Sequence, residues 1–390
     1  MAAPARTALV LGGGGVTGGW FELGVLRALE AALTTSALLD IDIVVGVSAG
    51  AVVGSQVAAG IAPHQMVAGL GRRGAHVAAP FSRRHMLRPN WRELAARARL
   101  VPRRLLDGLW LVATGQAPRG PLDALFALGE LVPAGLLDGS GLEAFIRGNL
   151  ERTACADRFD GLTRALFVVA VDVDTHERVV FGLPGHRAVR ISRAVLASSS
   201  FPPAFAPCRI DGRDYVDGGV DRNFHLDIAA DAGATLLVCV NPYLPLFNPP
   251  ARHAATLADG RKGRIMDKGM PGVVDQTVRM ILHSRMADSV AALRARRPDV
   301  DIAMFEPLPD DDHMFHYNVA RFSARLSTAR VGYLAAWARF TEHWDHWSER
   351  FAAHGLPLRR EVLDAEADRL RAGKPGRTAL LGLLGNPPAQ

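Results

Sequence analysis

Twice in its first sixty residues the chain runs an apolar strand into a glycine-containing turn and out again as a helix. Residues 7–11 (TALVL) read as a strand that stops at four consecutive glycines. Residues 19–33 then read as a helix, with Leu23, Leu26, Leu29 and Leu33 at helical spacing. Residues 41–47 (IDIVVGV) read as a second strand and 49–59 (AGAVVGSQVAA) as a small-residue helix, with Pro63 just past its end. A strand, a crossover helix and a second strand pack only as a parallel pair. The opening therefore confines the chain to an α/β fold around a mostly parallel sheet.

The pattern resumes later. Residues 165–173 (ALFVVAVDV), 178–181 (RVVF) and 235–241 (TLLVCVN) read as strands, and 188–198, 276–297 and about 319–353 as helices. Residues 63–160 are rich in Arg, Leu, Pro and Gly and read as a helical insertion. Residues 242–275 read as a mobile surface loop, and the chain from 373 as a loose tail. The division expected is one domain over 7–355, carrying the insertion at about 63–160, and a C-terminal helix with its tail over 356–390. Hydrophobic residues make up 49% and charged residues 22%, the balance of an ordinary globular protein. No run of eighteen apolar residues appears, and the N-terminus, with Arg6 as its one early cation, does not read as a signal peptide. Cys155, Cys208 and Cys239 are widely spaced and odd in number, which fits a reduced, cytoplasmic chain and no metal motif.

The chemistry starts at Gly46-x-Ser48-x-Gly50, between the second strand and its helix. A serine in a strained strand-to-helix turn crowds the neighbouring backbone, so the positions two before and two after it must be small. The turn lifts the hydroxyl clear of the sheet at a helix N-terminus, where developing negative charge is favoured. The alternative for the same residues is a plain turn with a capping serine. A base for Ser48 is less obvious. His225, His283, His313 and His316 fall in no triad pattern and read as structural or solvated. Asp217 follows a short strand-like run (RDYV) and precedes Gly218-Gly219, so a carboxylate at a strand end could accept the serine proton directly. Taken alone, it reads better as a turn aspartate. Asp211-Gly212 reads as the hairpin turn just before it.

The first glycine loop is ambiguous by itself. Gly13-x-Gly15-x-x-Gly18 fits a dinucleotide-binding fingerprint as well as an oxyanion cradle, because both need bare backbone N–H groups near a helix N-terminus. A dinucleotide binder wants an acid at the end of its second strand. Here Asp40 and Asp42 stand at that strand's start, and Gly46-Val47-Ser48 at its end.

The ordered set of glycine loop, G-x-S-x-G and "ASSSFPPAFAP…YVDGG" resembles the motif set of the patatin-like phospholipases, over roughly residues 7–242. The resemblance implies a three-layer α/β/α hydrolase working with a Ser–Asp dyad. It makes Ser48 the nucleophile, Asp217 the general base and the amides around Gly13, Gly14 and Gly15 the oxyanion hole, with Gly18, Gly46, Gly50, Gly218 and Gly219 supporting the motifs. It implies a lipid acyl hydrolase, phospholipase A-like or broader, that forms an acyl-enzyme and calls for no metal and no cofactor. Acyl transfer to an alcohol other than water stays open on the same dyad. So do two other classes, a dinucleotide-binding oxidoreductase and a non-catalytic lipid-binding protein. Two departures stand out: Thr17 takes a glycine-loop position where many relatives carry Arg or Lys, and the stretch from Gly18 to Gly24 is one residue longer.

The net charge is +6, and nearly all the positive charge is arginine, with lysine only at 262, 268 and 374. Residues 83–104 hold eight arginines against Glu93, interleaved with Leu87, Trp91, Leu94 and Leu100. Such a stretch fits a helical cap with solvated arginines, and it also fits a helix lying on an anionic membrane surface. A cytoplasmic protein with peripheral membrane contact is expected. Nothing resembles a nucleic-acid-binding motif, and no nucleic acid partner is expected.

Overall fold

The computed structural model describes residues 6–71, 78–79, 81–114, 128–251, 253–308, 314, 322–373 and 375–388. Its centre is an eight-stranded sheet: β1 (Arg6–Leu11), β2 (Ile43–Gly46), β3 (Ala165–Asp172), β4 (Arg178–Phe181), β5 (Cys208–Ile210), β6 (Arg213–Asp217), β7 (Ala234–Val240) and β8 (Asp301–Phe305). The strands run in the order β5-β6-β3-β2-β1-β7-β8, and β4 also pairs with β3. The block β3-β2-β1-β7-β8 is parallel throughout; β4, β5 and β6 pair antiparallel.

The parallel strands are buried on both faces, which is why they read as unbroken apolar runs. Along β1, Leu9 and Leu11 face one core while Ala8 and Val10 face the other. Along β7, Leu236, Val238 and Val240 alternate in the same way with Leu237 and Cys239. The larger core is covered by the helices Gly15–Ala32, Ala49–Ala58, Ser140–Leu150, Ile191–Ser198 and Arg325–Glu342. The smaller lies under Leu226–Asp231 and the second half of Gly269–Arg296. The result is the three-layer α/β/α arrangement expected.

Several expectations need adjustment. β8 was not anticipated. DIAMF follows a charged turn and is too short to stand out, but it pairs with β7 over five residues. The helix expected from 276 starts at Gly269. Pro271 does not stop it, because a proline in the first turn lacks an N–H that would have no partner there anyway. Residues 242–268 close on themselves. Asn248 accepts from the amides of Ala254 and Ala255 and donates to the Gly263 carbonyl. The helix expected over 319–353 is two, Arg325–Glu342 and Trp344–Ala353, broken at His343; residues 315–321 lie outside the described residues. Within the insertion the described part is helical at Pro63–Ala68, Arg83–Met86, Trp91–Ala113 and Ser140–Leu150, while 72–77 and 115–127 lie outside it. The tail expected to be loose carries the helix Arg377–Gly385, with Leu384 fully buried. Its Leu380, Leu381 and Leu384 supply an apolar face that packs against the helix Pro63–Ala68 and the main core.

Candidate active site

Sheet register brings Ser48 and Asp217 together. β2 ends at Gly46, which pairs with Val168 of β3; β6 ends at Asp217, which pairs with Ala170. Both Val168 and Ala170 also pair with β4, which occupies the other edge of β3. β2 and the antiparallel β6 therefore share one edge and meet end to end, one residue of β3 apart. Gly218 fills the junction: a Cβ there would lie 2.4 Å from the carbonyl oxygen of Val169. Two strands from opposite directions thus deliver a serine and an aspartate to one point, 169 residues apart in sequence.

Ser48 adopts φ 54° and ψ −119° and caps the helix Ala49–Ala58. A non-glycine residue there is strained by of order 1–3 kcal/mol and persists only when its surroundings over-determine it. They do so on both sides. The Val47 and Gly50 amides donate to the carbonyls of Leu11 and Gly12, tying the elbow to the glycine loop. The Ser48 amide donates to Ser198 Oγ at 2.9 Å, and Ser199 Oγ donates to the Ser48 carbonyl at 3.3 Å. Gly50 is required by this approach, since a Cβ on it would lie 2.4 Å from the Leu11 carbonyl oxygen. The run Ser198-Ser199-Ser200 braces Asp217 as well, because the Asp217 amide donates to the Ser200 carbonyl. Sequence reasoning quoted these serines without assigning them a role; three hydroxyls at a helix C-terminus were the available signal.

Ser48 stands beside Asp217 and helps hold its carboxyl down, and the Gly219 amide donates to Asp217 Oδ1 at 2.8 Å. Asp217 is 3% exposed. Burial pushes its carboxyl up to about 6, with the Ser48 and Gly219 hydrogen bonds holding it down only in part. Such a carboxyl is a usable base near neutral pH. Among the described residues no histidine hydrogen-bonds to either member of the pair; His313 and His316 lie outside them. His225 is buried beside Arg178 and Asp227, away from the serine, and burial holds it down at about 4.

The glycine loop lies against the serine. A Cβ on Gly13 would meet Ser48 Cβ at 3.1 Å. The three amides expected there as oxyanion donors are not equivalent. That of Gly13 is engaged, donating to Asn223 Oδ1 at 2.6 Å. Those of Gly14 and Gly15 have no acceptor among the described residues, and Gly15 borders the same cavity as Ser48. Gly18 is packed under Pro242, and Thr17 is buried in the first helical turn. The cavity measures about 120 Å³ and is walled mainly by Trp20, Leu23, Val53, Met66, Phe145 and Phe205. Asp42 is tied to the amide and hydroxyl of Thr7 at the starts of β1 and β2, the end of the sheet remote from the glycines. It is not placed to meet a ribose. Among the described residues no three His, Cys, Asp or Glu are grouped to hold a metal ion. No helix among them is long and apolar enough to cross a membrane. All three cysteines are buried and unpaired.

The protein is a three-layer α/β/α fold with a serine in a strained strand-to-helix turn, near a buried carboxylate and beside an apolar cavity. Its family follows from the sequence itself. Residues 9–230 match the family described as Patatin-like phospholipase, and the chain belongs to that family of lipid acyl hydrolases. Among solved structures it is similar to VipD from Legionella pneumophila, at 17% identity and a TM-score of 0.40, over 87% of this chain and 68% of that one.

Proposed function

We propose that the protein hydrolyses lipid acyl esters through Ser48 and Asp217. The observation that carries this reading is the strained Ser48 elbow at the wall of an apolar cavity, brought by sheet register beside the buried Asp217 carboxylate. Asp217 takes the hydroxyl proton as Ser48 Oγ attacks the ester carbonyl. The amides of Gly14 and Gly15, with the N-terminus of the helix Ala49–Ala58, receive the oxyanion. Protonated Asp217 returns its proton to the leaving alcohol, leaving an acyl-enzyme on Ser48. Asp217 then activates the water that releases the acid. The cavity is somewhat smaller than the roughly 150 Å³ that admits benzene, so it seats a short stretch of acyl chain beside the carbonyl. Release to an alcohol other than water would make the same dyad an acyltransferase, and product analysis with added alcohol separates the two.

The substrate arrives from a lipid surface. The helix Trp91–Ala113 shows Trp91, Leu106 and Trp110 to solvent, each at least 60% exposed, on a face shared with Arg92, Arg99 and Arg103. Tryptophan with arginine on one exposed helix suits an anionic bilayer surface. The helix springs from the rim of the cavity. Met86 lines the cavity, Pro89 bridges to Leu137, and Leu137 bridges to Phe205 of the cavity wall.

Wild type, Ser48→Ala and Asp217→Asn should be assayed on short soluble esters and on phospholipid vesicles, with and without chelator. Turnover by wild type alone, insensitive to chelator, is the expected result; full turnover by Ser48→Ala refutes the assignment. Sedimentation of Ser48→Ala with anionic vesicles should weaken with salt and with charge reversal of Arg92, Arg99 and Arg103. Unchanged sedimentation refutes the docking helix alone.

A further inference from the structure

The turn that carries Asp217 continues to Asn223 and Phe224, and both reach back to the glycine loop. Asn223 is 4% exposed. Its Oδ1 accepts from the Gly13 amide at 2.6 Å, and its Nδ2 donates to the Gly13 carbonyl at 3.3 Å, so one carboxamide grips both polar groups of a single residue. The Phe224 ring lies under Gly12, where a Cβ would meet it at 2.7 Å. The orientation of Asn223 is dictated from behind. Glu306 Oε1 accepts from Asn241 Nδ2 at 2.8 Å, which leaves Asn241 Oδ1 to accept from the Tyr243 amide at 3.2 Å and from Asn223 Nδ2 at 3.4 Å. That in turn leaves Asn223 Oδ1 for the Gly13 amide. A flipped Asn223 would set donor against donor at the Gly13 amide and acceptor against acceptor at the Gly13 carbonyl and Asn241 Oδ1.

We infer that Asn223 is a positioning residue for the oxyanion hole: by holding Gly13 at both its N–H and its C=O, it leaves the amides of Gly14 and Gly15 for the oxyanion formed at Ser48. The inference rests on the reading of Ser48 and Asp217 given above. It gives each of the four consecutive glycines a use, with Gly15 at the cavity wall. The first two make room for Phe224 and Asn223, and the next two supply the donors. It also joins base and oxyanion loop in one rigid unit, because Asp217 and Asn223 stand six residues apart on the same turn.

The test compares wild type, Asn223→Ala, Asn223→Asp and Ser48→Ala on a soluble short-chain ester. It measures kcat and KM separately, and the affinity of a trifluoromethyl ketone, which forms a tetrahedral oxyanion adduct on serine. One oxyanion donor is worth roughly 100-fold or more in kcat. In Asn223→Ala, kcat should fall about 10- to 100-fold, with KM changed less than about threefold and ketone affinity falling in parallel with kcat. Asn223→Asp keeps an acceptor for Gly13 but adds a carboxylate beside Asp217. Asp217 Oδ1 and Asn223 Oδ1 lie 3.1 and 3.7 Å from one point, the place a Cβ on Gly219 would take. Like charge favours the protonated form, so the acidic limb of the kcat/KM profile should move to higher pH. That shift reports only how close the two side chains lie; because Asn223→Asp also loses the donor to the Gly13 carbonyl, its kcat and ketone affinity above the limb should fall in parallel, which keeps the inference testable if the alanine variant fails to fold. Wild-type kcat and ketone affinity in folded Asn223→Ala, or in Asn223→Asp above its acidic limb, overturns the inference and leaves the dyad standing. Absence of turnover in wild type removes the dyad reading and this inference with it.

Discussion

The helix Gly15–Ala32 has a cluster of buried charge near each end, and the two are treated in opposite ways. At its N-terminal end stands Asp217, a buried carboxylate with no cation beside it, held only by a serine hydroxyl and one amide. Toward its C-terminal end stands Arg27, fully buried and saturated. It bonds Glu30 at 2.7 Å, Glu366 at 3.3 Å and the carbonyls of Leu384 and Asn386. Glu30 is further bonded by His64 Nδ1 at 2.5 Å, and Glu366 by the Tyr333 hydroxyl at 3.1 Å. Burial alone would push both of these carboxyls up. In Glu30 the His64 hydrogen bond and the close Arg27 reverse the shift, while Glu366, farther from Arg27, stays raised. Buried charge that must hold the fold together is fully partnered; buried charge that must move a proton is left nearly alone.

The comparison fails if Asp217 proves structural, and one variant decides that. Asp217→Asn should lower kcat by about 10³-fold or more, the upper range for loss of a general base. It should also raise stability. Asp217 has a folded pKa above its unfolded value. Its neutral form therefore contributes stability at low pH that is lost as pH rises through about 6. At pH 7 an uncharged amide removes that burden, on the order of 1–3 kcal/mol by the size of the shift. Thermal unfolding of folded, inactive Asp217→Asn checks the sign, and a lower Tm than wild type would contradict it.

At the other cluster the signs reverse. Arg27→Ala strips two buried carboxylates of their cation and frees the C-terminal carbonyls it holds, and should cost about 3–5 kcal/mol in denaturant unfolding. The activity of the molecules that remain folded should change little. Loss of activity with unchanged stability would mean that the two clusters are not separate in role.

Half of this contrast was legible in the sequence. Ser48, its flanking glycines and the glycine loop belong to contiguous strand–turn–helix patterns, and local sterics dictate their residue types. Asp217 could be singled out only through its company of glycines and a preceding strand. What brings it to Ser48 is register along β3, which no local pattern carries. Nothing local marks Arg27 as buried: Glu30 stands one turn away, but Glu366 and the Leu384 carbonyl come from 339 and 357 residues away. Asn223 was passed over for the same reason: a lone asparagine after a turn shows its use only when Gly13 is brought against it. The C-terminal helix was underestimated because flanking glycines and prolines weigh more in a local reading than the apolar face of ALLGLLG.

The titration of Asp217 sharpens the contrast further. An ordinary aspartate would be ionised throughout the range in which most enzymes are assayed. With a carboxyl near 6, kcat/KM on a soluble neutral ester should show an acidic limb at about 6 and fall about tenfold for each unit below it. A limb near 4 would mean that the carboxylate is hydrated or paired in solution, as Glu30 is paired here. It would dissolve the distinction between the clusters at its source.

Glu22 offers the finest test, because it lies on the same helix between the two clusters and belongs to neither. It is fully buried, both carboxyl oxygens lack a hydrogen-bond partner among the described residues, and burial raises its pKa well above the usual range. It has no cation to hold and no nucleophile to serve. If partnering marks structure and a hydrogen-bonded serine marks chemistry, Glu22 should be dispensable to both. Glu22→Met removes a desolvated polar group at similar volume and should stabilise the fold by about 1 kcal/mol without altering kcat. The sign of its pH dependence follows from the raised pKa. The neutral carboxyl is tolerated at low pH, and its stability contribution is lost as pH rises through the folded value, so the gain in Glu22→Met should grow with pH. Denaturant titrations of both proteins at pH 5 and pH 8 measure it. A variant that is less stable at both pH values would show that Glu22 has a partner in solution, and that the helix carries a third charged cluster rather than two.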